Sequence, residues 1–435
     1  TGRAMWFRGK SSKQGKPPAS GKPATRSVGH TLQRMRVPVD LLRPGMRVVK
    51  LDRPWTEVPL LFQGFDLASD EQFRILRHYC EWVVVEGDEH QLADALDRIA
   101  QQKKRATEPL AETCSVEEEL PRATQAWETT RSFVEQVSRD IEAGNVLNLE
   151  QARPIVRSCV ESIKANASAM FWMSRIKSRD EYTAEHCLRV AVFAVAFARF
   201  LGLPDEDLEV AGLCGLLHDV GKLKVPPEIL NKPGPLDPNE AKVMQGHTNF
   251  GYNLLKTDQN LDPIVMDVTR HHHERVDGRG YPAKLEEWQI SRFSRLIAIV
   301  DAYDAMTSDR CYRDGLPASD AMRILYRNRG RQFDAGMVEA FIRMVGIYPP
   351  GSLVELSNGE VALVLTTHPG KKLRPKVEIL LDREKHSITP RVIDLGGDDN
   401  DGAIQITRPL PDGSHGVSLK GRISQVIAGD RTLAQ

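Results

Sequence analysis

Apolar residues at helical spacing dominate the middle of the chain. Over residues 116–143 they recur with the three- to four-residue spacing of an amphipathic helix, and the pattern continues over 149–173. Residues 182–200 are apolar on nearly every face, which is typical of a central buried helix. Asp205 can cap the helix that follows. The pattern predicts a mainly α-helical core, which we place at residues 146–345.

Shorter apolar runs predict strands on both sides of this core. Three runs around a helical pattern at 69–79 predict a small α/β amino-terminal domain over residues 36–104. Three further runs, separated by Asn-Gly and Pro-Gly turns, predict a small β appendage over 346–412. A linker and a brace helix are expected over 105–145. The predicted strands are 36–39, 47–51, 82–85, 353–356, 361–365 and 377–381.

The two ends of the chain have a different composition. Residues 1–35 are basic and contain no acidic residue, which predicts a disordered tail. The Gly-rich residues 413–435 predict a flexible tail. The total length of 435 residues indicates two to three domains in all.

Composition narrows the class of protein. The 41% hydrophobic and 27% charged fractions are typical of a soluble globular protein. Lys+Arg and Asp+Glu each number 59, and this balance argues against DNA as a partner. The longest apolar stretch, 190–201, is too short to span a bilayer, and we expect no signal peptide. Six scattered cysteines fit reduced thiols, so we predict a cytoplasmic protein.

Histidine and aspartate residues concentrate between residues 186 and 313, where half of the twelve histidines lie. His218 and Asp219 end an apolar helix, a place where polar side chains are costly unless they are paired or ligated. Imidazole and carboxylate together suit iron, manganese, zinc or cobalt, and the two oxygens of Asp219 can bridge two cations. Gly221 permits a tight turn, and Lys222 can reach a phosphate as a point charge. The cluster indicates a transition-metal site.

Three polar residues lie within apolar helices. For Asp301 we favour metal ligation over a capping role, because a carboxylate buried in this way needs a strong partner. Asp304, one turn later, is explained at least as well by a structural role. His186, near the start of the predicted central helix, would by itself be assigned a core or capping role.

Three segments in this region together resemble the HD-GYP family. Residues 218–222 (HDVGK) look like its HD motif with the Gly-Lys extension, and residues 272–282 (HHERVDGRGYP) are similar to its extended GYP signature. Residues 301–313 (DAYDAMTSDRCYR) are similar to the helix and basic turn that follow. The resemblance covers about residues 145–345 and implies a helical HD-type fold and a phosphodiesterase acting on cyclic di-GMP. The amino-terminal domain resembles a module often found ahead of HD-GYP domains.

The resemblance also implies the residues of the site. With Asp219 bridging, the implied metal ligands are His186, His218, Asp219, His247, His272, His273 and Asp301. Tyr182 occupies the position of a Glu that binds a third metal in some members. We therefore expect two divalent transition metals, iron or manganese, with zinc, cobalt or nickel as alternatives. The implied substrate-binding residues are Gly280, Tyr281, Arg310 and Arg313.

Lys222 and Asp219 are the expected catalytic residues. Two metals would hold a bridging hydroxide that attacks phosphorus in line with the departing ribose 3′ oxygen, while Lys222 stabilises the developing charge. The predicted reaction is hydrolysis of cyclic di-GMP to pGpG, GMP or both.

Two other functions fit the same residues. One is a non-catalytic signalling module that binds cyclic di-GMP or a diguanylate cyclase domain, and the other is a different HD-superfamily nucleotide phosphohydrolase. The resemblance implies that diguanylate cyclase domains can be partners through the GYP loop. Helices within 116–173 can either pair with a second copy of the chain or act as an internal brace.

Overall fold

The chain forms a helical core. One small antiparallel sheet precedes this core in the sequence, and a second follows it. The expectation of a mainly helical core, with an α/β part before it and a β part after it, is confirmed. Among the described helices, none combines the length and the apolarity needed to cross a membrane. The computed structural model describes residues 33–58, 60, 63–80, 82–87, 92–93, 97, 112–145, 147–176, 182–308, 315–368, 371, 373–397 and 403–427.

The amino-terminal sheet has the strand order β1-β4-β2-β3 with antiparallel neighbours. Helix α1 (Asp70–Tyr79) begins with a capping box between Ser69 and Gln72 and buries Leu76 in the apolar cluster of this domain. Part of the expected disordered tail is instead ordered, because Gln33 to Met35 pair with β4. The strands are β1 (Gln33–Pro38), β2 (Arg47–Leu51), β3 (Phe65–Asp66) and β4 (Trp82–Gly87).

The core surrounds the predicted central helix, α4, whose side chains are all buried over residues 185–198. Gly215 allows α5 to approach it closely, since a methyl group there would lie 2.6 Å from the Cα of Ala191. The core helices are α2 (Val116–Ala143), α3 (Ala152–Arg175), α4 (Tyr182–Phe200), α5 (Asp205–Leu217), α6 (Pro227–Leu230), α7 (Pro238–Gln245), α8 (His247–Leu255), α9 (Pro263–His271), α10 (Arg292–Thr307), α11 (Ala318–Asn328) and α12 (Ala335–Val345).

Helix α2 packs along α3, and its apolar face joins the main core of the same chain. Leu120 and Trp127 are buried there. Lys224, in the 3-10 turn Val220–Lys224 that follows α5, donates to the carbonyl oxygen of Ile141 at 3.0 Å, near the end of α2. The apolar positions that suggested pairing with a second copy are therefore used within one chain, as an internal brace requires.

Helix α3 is interrupted at Asn166, where the backbone is extended (φ −155°, ψ 104°). The buried side chain bridges the break, because its Nδ2 donates to the carbonyl of Cys114 at 2.9 Å and its Oδ1 accepts from the amide of Ser168 at 2.9 Å. The amide of Thr113 also donates to the carbonyl of Ala165 at 2.9 Å. The residues just ahead of α2 are thus docked into the break in α3.

Replacing Asn166 with alanine is expected to lower the free energy of unfolding by about 2–3 kcal/mol, since two buried backbone groups would lose their partner. Chemical denaturation measures the change. Asn260→Ala is the matched control: Asn260 is exposed, so its replacement should change stability by less than about 0.5 kcal/mol. An Asn166→Ala protein as stable as the wild type would show that the bridge contributes nothing.

The carboxy-terminal sheet has the order β8-β7-β6-β5-β9, and helix α13 (Leu419–Ile427) returns from it to pack on α2. In α13, Arg422 donates to both carboxylate oxygens of Glu378 in β7, at 3.1 and 2.7 Å, and both side chains are buried. The expectation of a flexible tail over 413–435 is wrong for α13, because this ion pair and the buried Leu419 fix the helix. The strands are β5 (Leu353–Leu356), β6 (Val361–Thr366), β7 (Lys376–Leu381), β8 (Ser387–Asp394) and β9 (Ile406–Leu410).

Candidate metal centre

The structure brings together all seven side chains that the resemblance implied as ligands. They form two groups, and within each group the potential ligand atoms lie within 4.8 Å of one another. The first group consists of His186, His218 and Asp301, and the second of Asp219, His247, His272 and His273.

The ligand side chains are placed by the ends of the core helices. His218 and Asp219 follow the last turn of α5, His247 is the first residue of α8, and His272 and His273 follow α9. His186 lies in the second turn of α4, and Asp301 lies within α10. Packing of five helices therefore builds the cluster.

Asp219, a member of the second group, also faces the first. One of its oxygens points towards the histidines of each group. Its Oδ2 lies 3.4 Å from Nε2 of His186 and 3.3 Å from Nε2 of His218. Its Oδ1 lies 3.4 Å from Nε2 of His247 and 3.7 Å from Nε2 of His272. This is the arrangement that a carboxylate shared between two cations needs.

The histidine rings are oriented by hydrogen bonds from their other nitrogen. Nδ1 lies 2.8 Å from the carbonyl oxygen of Gly215 in His218 and 2.7 Å from that of Met244 in His247. In His272 it lies 3.1 Å from the carbonyl oxygen of Val268. A carbonyl oxygen only accepts, so Nδ1 carries the proton in each case and Nε2 presents its lone pair to the centre.

His186 is oriented by a carboxylate instead. Its Nδ1 donates to Oδ2 of Asp304 at 2.7 Å, and Arg189 holds the same carboxylate through Nε at 2.7 Å and Nη2 at 3.2 Å. Burial raises the pKa of Asp304, but the charge of Arg189 and the hydrogen bond from His186 outweigh burial and lower the pKa to about 2. The structural role that we considered for Asp304 is thus to orient His186, a candidate metal ligand. Sequence reasoning missed Arg189, although an arginine in an otherwise apolar helix was a signal for a buried acidic partner.

Replacing Asp304 with asparagine is expected to weaken metal affinity by roughly 10–100-fold, because His186 and Arg189 would lose the charge that orients them. Competition with a chelator measures the affinity. The contribution of the Asp304 charge to metal affinity should be complete above about pH 4. It should be lost as the pH falls through about 2, because the lowered pKa keeps Asp304 ionised in the folded protein down to that pH.

The matched control for Asp304→Asn is Asp267→Asn. Asp267 lies 2.8 Å from Nδ1 of His271, a neighbouring histidine outside both ligand groups. Metal affinity should stay at the wild-type value in this control. Equal weakening in both variants would show that the effect is not specific to His186.

The donor atoms fit a metal. Nε2 of His218 and Oδ1 of Asp219 are buried and have no hydrogen-bond partner among the described residues, a costly state unless another group binds them. Burial lowers the pKa of His247 to about 4 and that of His273 well below its ordinary value, so both are neutral at pH 7, as metal ligation requires. Imidazoles and carboxylates of this kind suit divalent iron, manganese or zinc.

Lys222 and Gly221 lie beside Asp219 in the 3-10 turn after α5. The ammonium group of Lys222 bonds to Oδ2 of Asp219. Burial lowers the pKa of Lys222, but Asp219 and Asp301 outweigh it and hold the pKa above its ordinary value. Lys222 is therefore a fixed cation rather than a proton acceptor. Gly221 has a role that the sequence did not predict: its Cα faces the backbone of α8, where a methyl group would overlap the carbonyl oxygen of His247.

A cavity of about 340 Å³ opens beside Asp301 and His273 and is also lined by Gly280 and Tyr281. The Tyr281 ring lies 4.8 Å from the His273 ring, at an interplanar angle of 30°. Gly280 is buried, and a methyl group there would overlap the backbone of Glu274. The glycine therefore allows two segments of the same loop to approach each other. The volume falls in the usual range for small-molecule sites. Arg310, Arg313 and the side chain of Tyr182 lie outside the described residues, and their roles stay predictions.

Family comparisons match three regions of the chain. Residues 163–337 match the family described as HD domain. Residues 34–152 match a domain of unknown function (DUF3391), and residues 353–400 match the KOW domain associated with HD domain. All seven clustered side chains fall within the first match.

Similar proteins with assigned activities share this region. A cyclic di-GMP phosphodiesterase of Pseudomonas aeruginosa is 36% identical over 375 residues, which cover 83% of this chain and 89% of that protein. The cyclic di-GMP phosphodiesterase response regulator of Xanthomonas campestris pv. campestris is 37% identical over 169 residues, covering 39% and 45%. A 3′3′-cGAMP-specific phosphodiesterase of Vibrio cholerae is 33% identical over 168 residues, covering 38% and 32%. The first similarity spans most of both proteins, whereas the other two span less than half of each.

Proposed function

Because the chain belongs to the HD-GYP family of metal-dependent phosphodiesterases, we propose that it hydrolyses cyclic di-GMP at a two-metal centre. The observation that carries the two-metal proposal is the placement of Asp219, with one oxygen towards His186 and His218 and the other towards His247 and His272. The relative that is similar over most of both chains, a cyclic di-GMP phosphodiesterase, supports the choice of substrate.

The proposed ligand sets follow the two groups. His186, His218 and Asp301 would hold one ion, and His247, His272 and His273 the other, with Asp219 shared. Such a pair of ions supplies a water nucleophile deprotonated at neutral pH and neutralises charge on the phosphate. Iron or manganese is the proposed metal, with zinc, cobalt or nickel as alternatives.

In this proposal, side chains around the metal ligands stabilise charge and contact the substrate. Lys222 keeps its positive charge beside Asp219 and can stabilise the charge that develops on the phosphoryl oxygens. Tyr281 provides an aromatic face at the cavity, next to His273. Opening one phosphodiester bond of cyclic di-GMP gives linear pGpG, and a second hydrolysis gives GMP.

The test uses protein loaded with iron(II) or manganese(II) under reducing conditions. We expect about two metals per chain, as a paired site requires, and turnover of cyclic di-GMP. The double variant His218→Ala with Asp219→Ala should lose both metal and turnover. The matched control is His386→Ala with Asp382→Ala, a neighbouring His and Asp pair in the turn between β7 and β8, which should keep both.

Substrate choice is tested in the same assay with 3′3′-cGAMP as the competitor, because one of the similar proteins is specific for it. Preference for 3′3′-cGAMP would overturn the choice of cyclic di-GMP. Tight binding of cyclic di-GMP without turnover, in protein that holds its metals, would favour a sensor. Turnover that persists in the His218 and Asp219 double variant would refute the proposed mechanism.

A further inference from the structure

Two arginines of the GYP loop (residues 272–282), Arg275 and Arg279, line the cavity, and their side chains differ in their hydrogen-bond partners. The guanidinium of Arg275 is bound to Asp277 by two hydrogen bonds, from Nε at 3.0 Å and from Nη2 at 2.7 Å. The side chain of Arg279 is exposed and makes no hydrogen bond or ion pair with any residue that the structure describes. One arginine is thus committed to the loop, and the other is available to a ligand.

The backbone around Arg279 is nevertheless fixed. The Arg279 amide donates to Oδ1 of Asp277 at 3.2 Å, and the same carboxylate accepts two hydrogen bonds from Arg275. The next residue, Gly280, packs against the backbone of Glu274. The carboxylate of Glu274 in turn accepts from the amide of Leu285 at 3.0 Å. The backbone that carries the Arg279 guanidinium is therefore held in place, which reduces the loss of backbone entropy when the side chain binds a ligand.

Among the described residues, none of the carboxylates around the cavity forms a direct ion pair with the side chain of Arg279, although Asp277 is near enough to attract it. Of the other charged residues that line it, Arg275 is neutralised by Asp277, and Glu274 is held by two backbone amides. Asp301 belongs to the metal cluster. A cyclic dinucleotide carries two phosphodiester charges, and in the proposed reaction the metal centre would bind the one that is cleaved. We expect the second charge to lie in the adjoining cavity, because Asp301 and His273 of the cluster also line it.

We propose that Arg279 binds the second, uncleaved phosphodiester of the cyclic dinucleotide and so determines specificity for substrates with two phosphates. The inference rests on the proposed function. The planar fork of arginine matches two phosphate oxygens, and a guanidinium free of internal partners loses no hydrogen bond when it turns to them. Among the described residues, neither Arg275, which is bound to Asp277, nor Lys222, which is bound to Asp219, meets both conditions. The role predicted for Arg310 and Arg313 in substrate binding is separate from this one.

The test compares Arg279→Gln with wild type on cyclic di-GMP and on bis(p-nitrophenyl) phosphate, a diester with one phosphate and no base. For cyclic di-GMP we expect KM to rise roughly tenfold with kcat nearly unchanged, as for loss of one charge-assisted contact. Hydrolysis of bis(p-nitrophenyl) phosphate should not change. Arg331→Gln is the matched control, because Arg331 is exposed in a neighbouring turn but does not line the cavity.

Direct binding gives a second readout. Calorimetry with a non-hydrolysable phosphorothioate analogue of cyclic di-GMP should show a similar weakening in Arg279→Gln, smaller at high salt because exposed charges are screened. Arg279→Lys should recover part of the affinity. Cyclic di-AMP, which has two phosphates and no guanine, should be weakened by the same factor.

Three outcomes would overturn the proposal. The first is an unchanged KM and affinity for cyclic di-GMP, and the second is an equal loss with bis(p-nitrophenyl) phosphate, which would place Arg279 at the cleaved phosphate. The third is a loss for cyclic di-GMP without a loss for cyclic di-AMP, which would assign Arg279 to the guanine edge. If the wild type cleaves bis(p-nitrophenyl) phosphate but neither binds nor cleaves cyclic di-GMP, the proposed function itself has failed.

Discussion

Replacing Asp219 with asparagine is expected to remove most of the bound metal and to lower phosphodiester hydrolysis by on the order of 10³-fold or more. The carboxylate faces four histidine nitrogens, two on each oxygen. An amide has one oxygen and no charge, so it cannot serve both groups. Elemental analysis of the purified protein and a hydrolysis assay measure the two effects.

The Asp219 variant needs a check of its fold, because Lys222 would lose its buried partner. Circular dichroism and thermal unfolding provide it. Asp320→Asn is the matched control, since Asp320 pairs with Arg323 on the surface of α11, and it should keep wild-type metal content and rate. A folded Asp219→Asn protein that still holds two metals would contradict a shared carboxylate.

Replacing Gly221 with alanine is expected to reduce both stability and metal binding. The added methyl group would overlap the carbonyl oxygen of His247 and the amide of Gly251, which are backbone atoms that cannot turn aside. Helix α8 would have to move away from the turn that carries Lys222, and His247 would move with it. We expect a loss of at least about 3 kcal/mol, the upper end for overpacking of side chains.

Thermal unfolding and metal analysis again give separate readouts for Gly221→Ala. Gly336→Ala is the matched control: Gly336 lies in α12, and the nearest atom to an added methyl group is a side-chain oxygen of Asp334 at 3.5 Å. Alanine favours helix over glycine, so this control should be neutral or stabilised by up to about 1 kcal/mol. If both variants behave alike, close packing at Gly221 is not the cause.

Much of the candidate metal centre could be predicted through the resemblance to the HD-GYP family, because the motifs that carry the resemblance are local. The HD pair at the end of α5 and the GYP stretch after α9 are continuous in sequence. The hydrogen bonds that orient His218 and His247 are local too, since each reaches a carbonyl three residues earlier. His218 follows α5 directly and His247 comes two residues after α7, so each ring finds its carbonyl in the last turn of the preceding helix.

Other features depend on residues that are distant in the chain. His186 is oriented by Asp304, 118 residues away, and Arg189 holds the same carboxylate. The sequence showed an arginine in an apolar helix and an aspartate of uncertain role, but not that the two meet. Likewise, helix α13 is fixed by Arg422 and Glu378, 44 residues apart, and a Gly-rich tail gives no sign of that pair.

The sequence by itself determined the helical core and the small sheets beside it, because spacing and residue type act within a turn or a strand. The set of candidate histidine and aspartate ligands came from the resemblance to the HD-GYP family. Only the tertiary structure decided that the two oxygens of Asp219 face separate groups of histidines and that Gly221 lets α8 approach. The physical reason is that both contacts join residues far apart in the chain, so they form only when the helices that carry those residues pack together. Such packing follows from the whole fold rather than from any one segment.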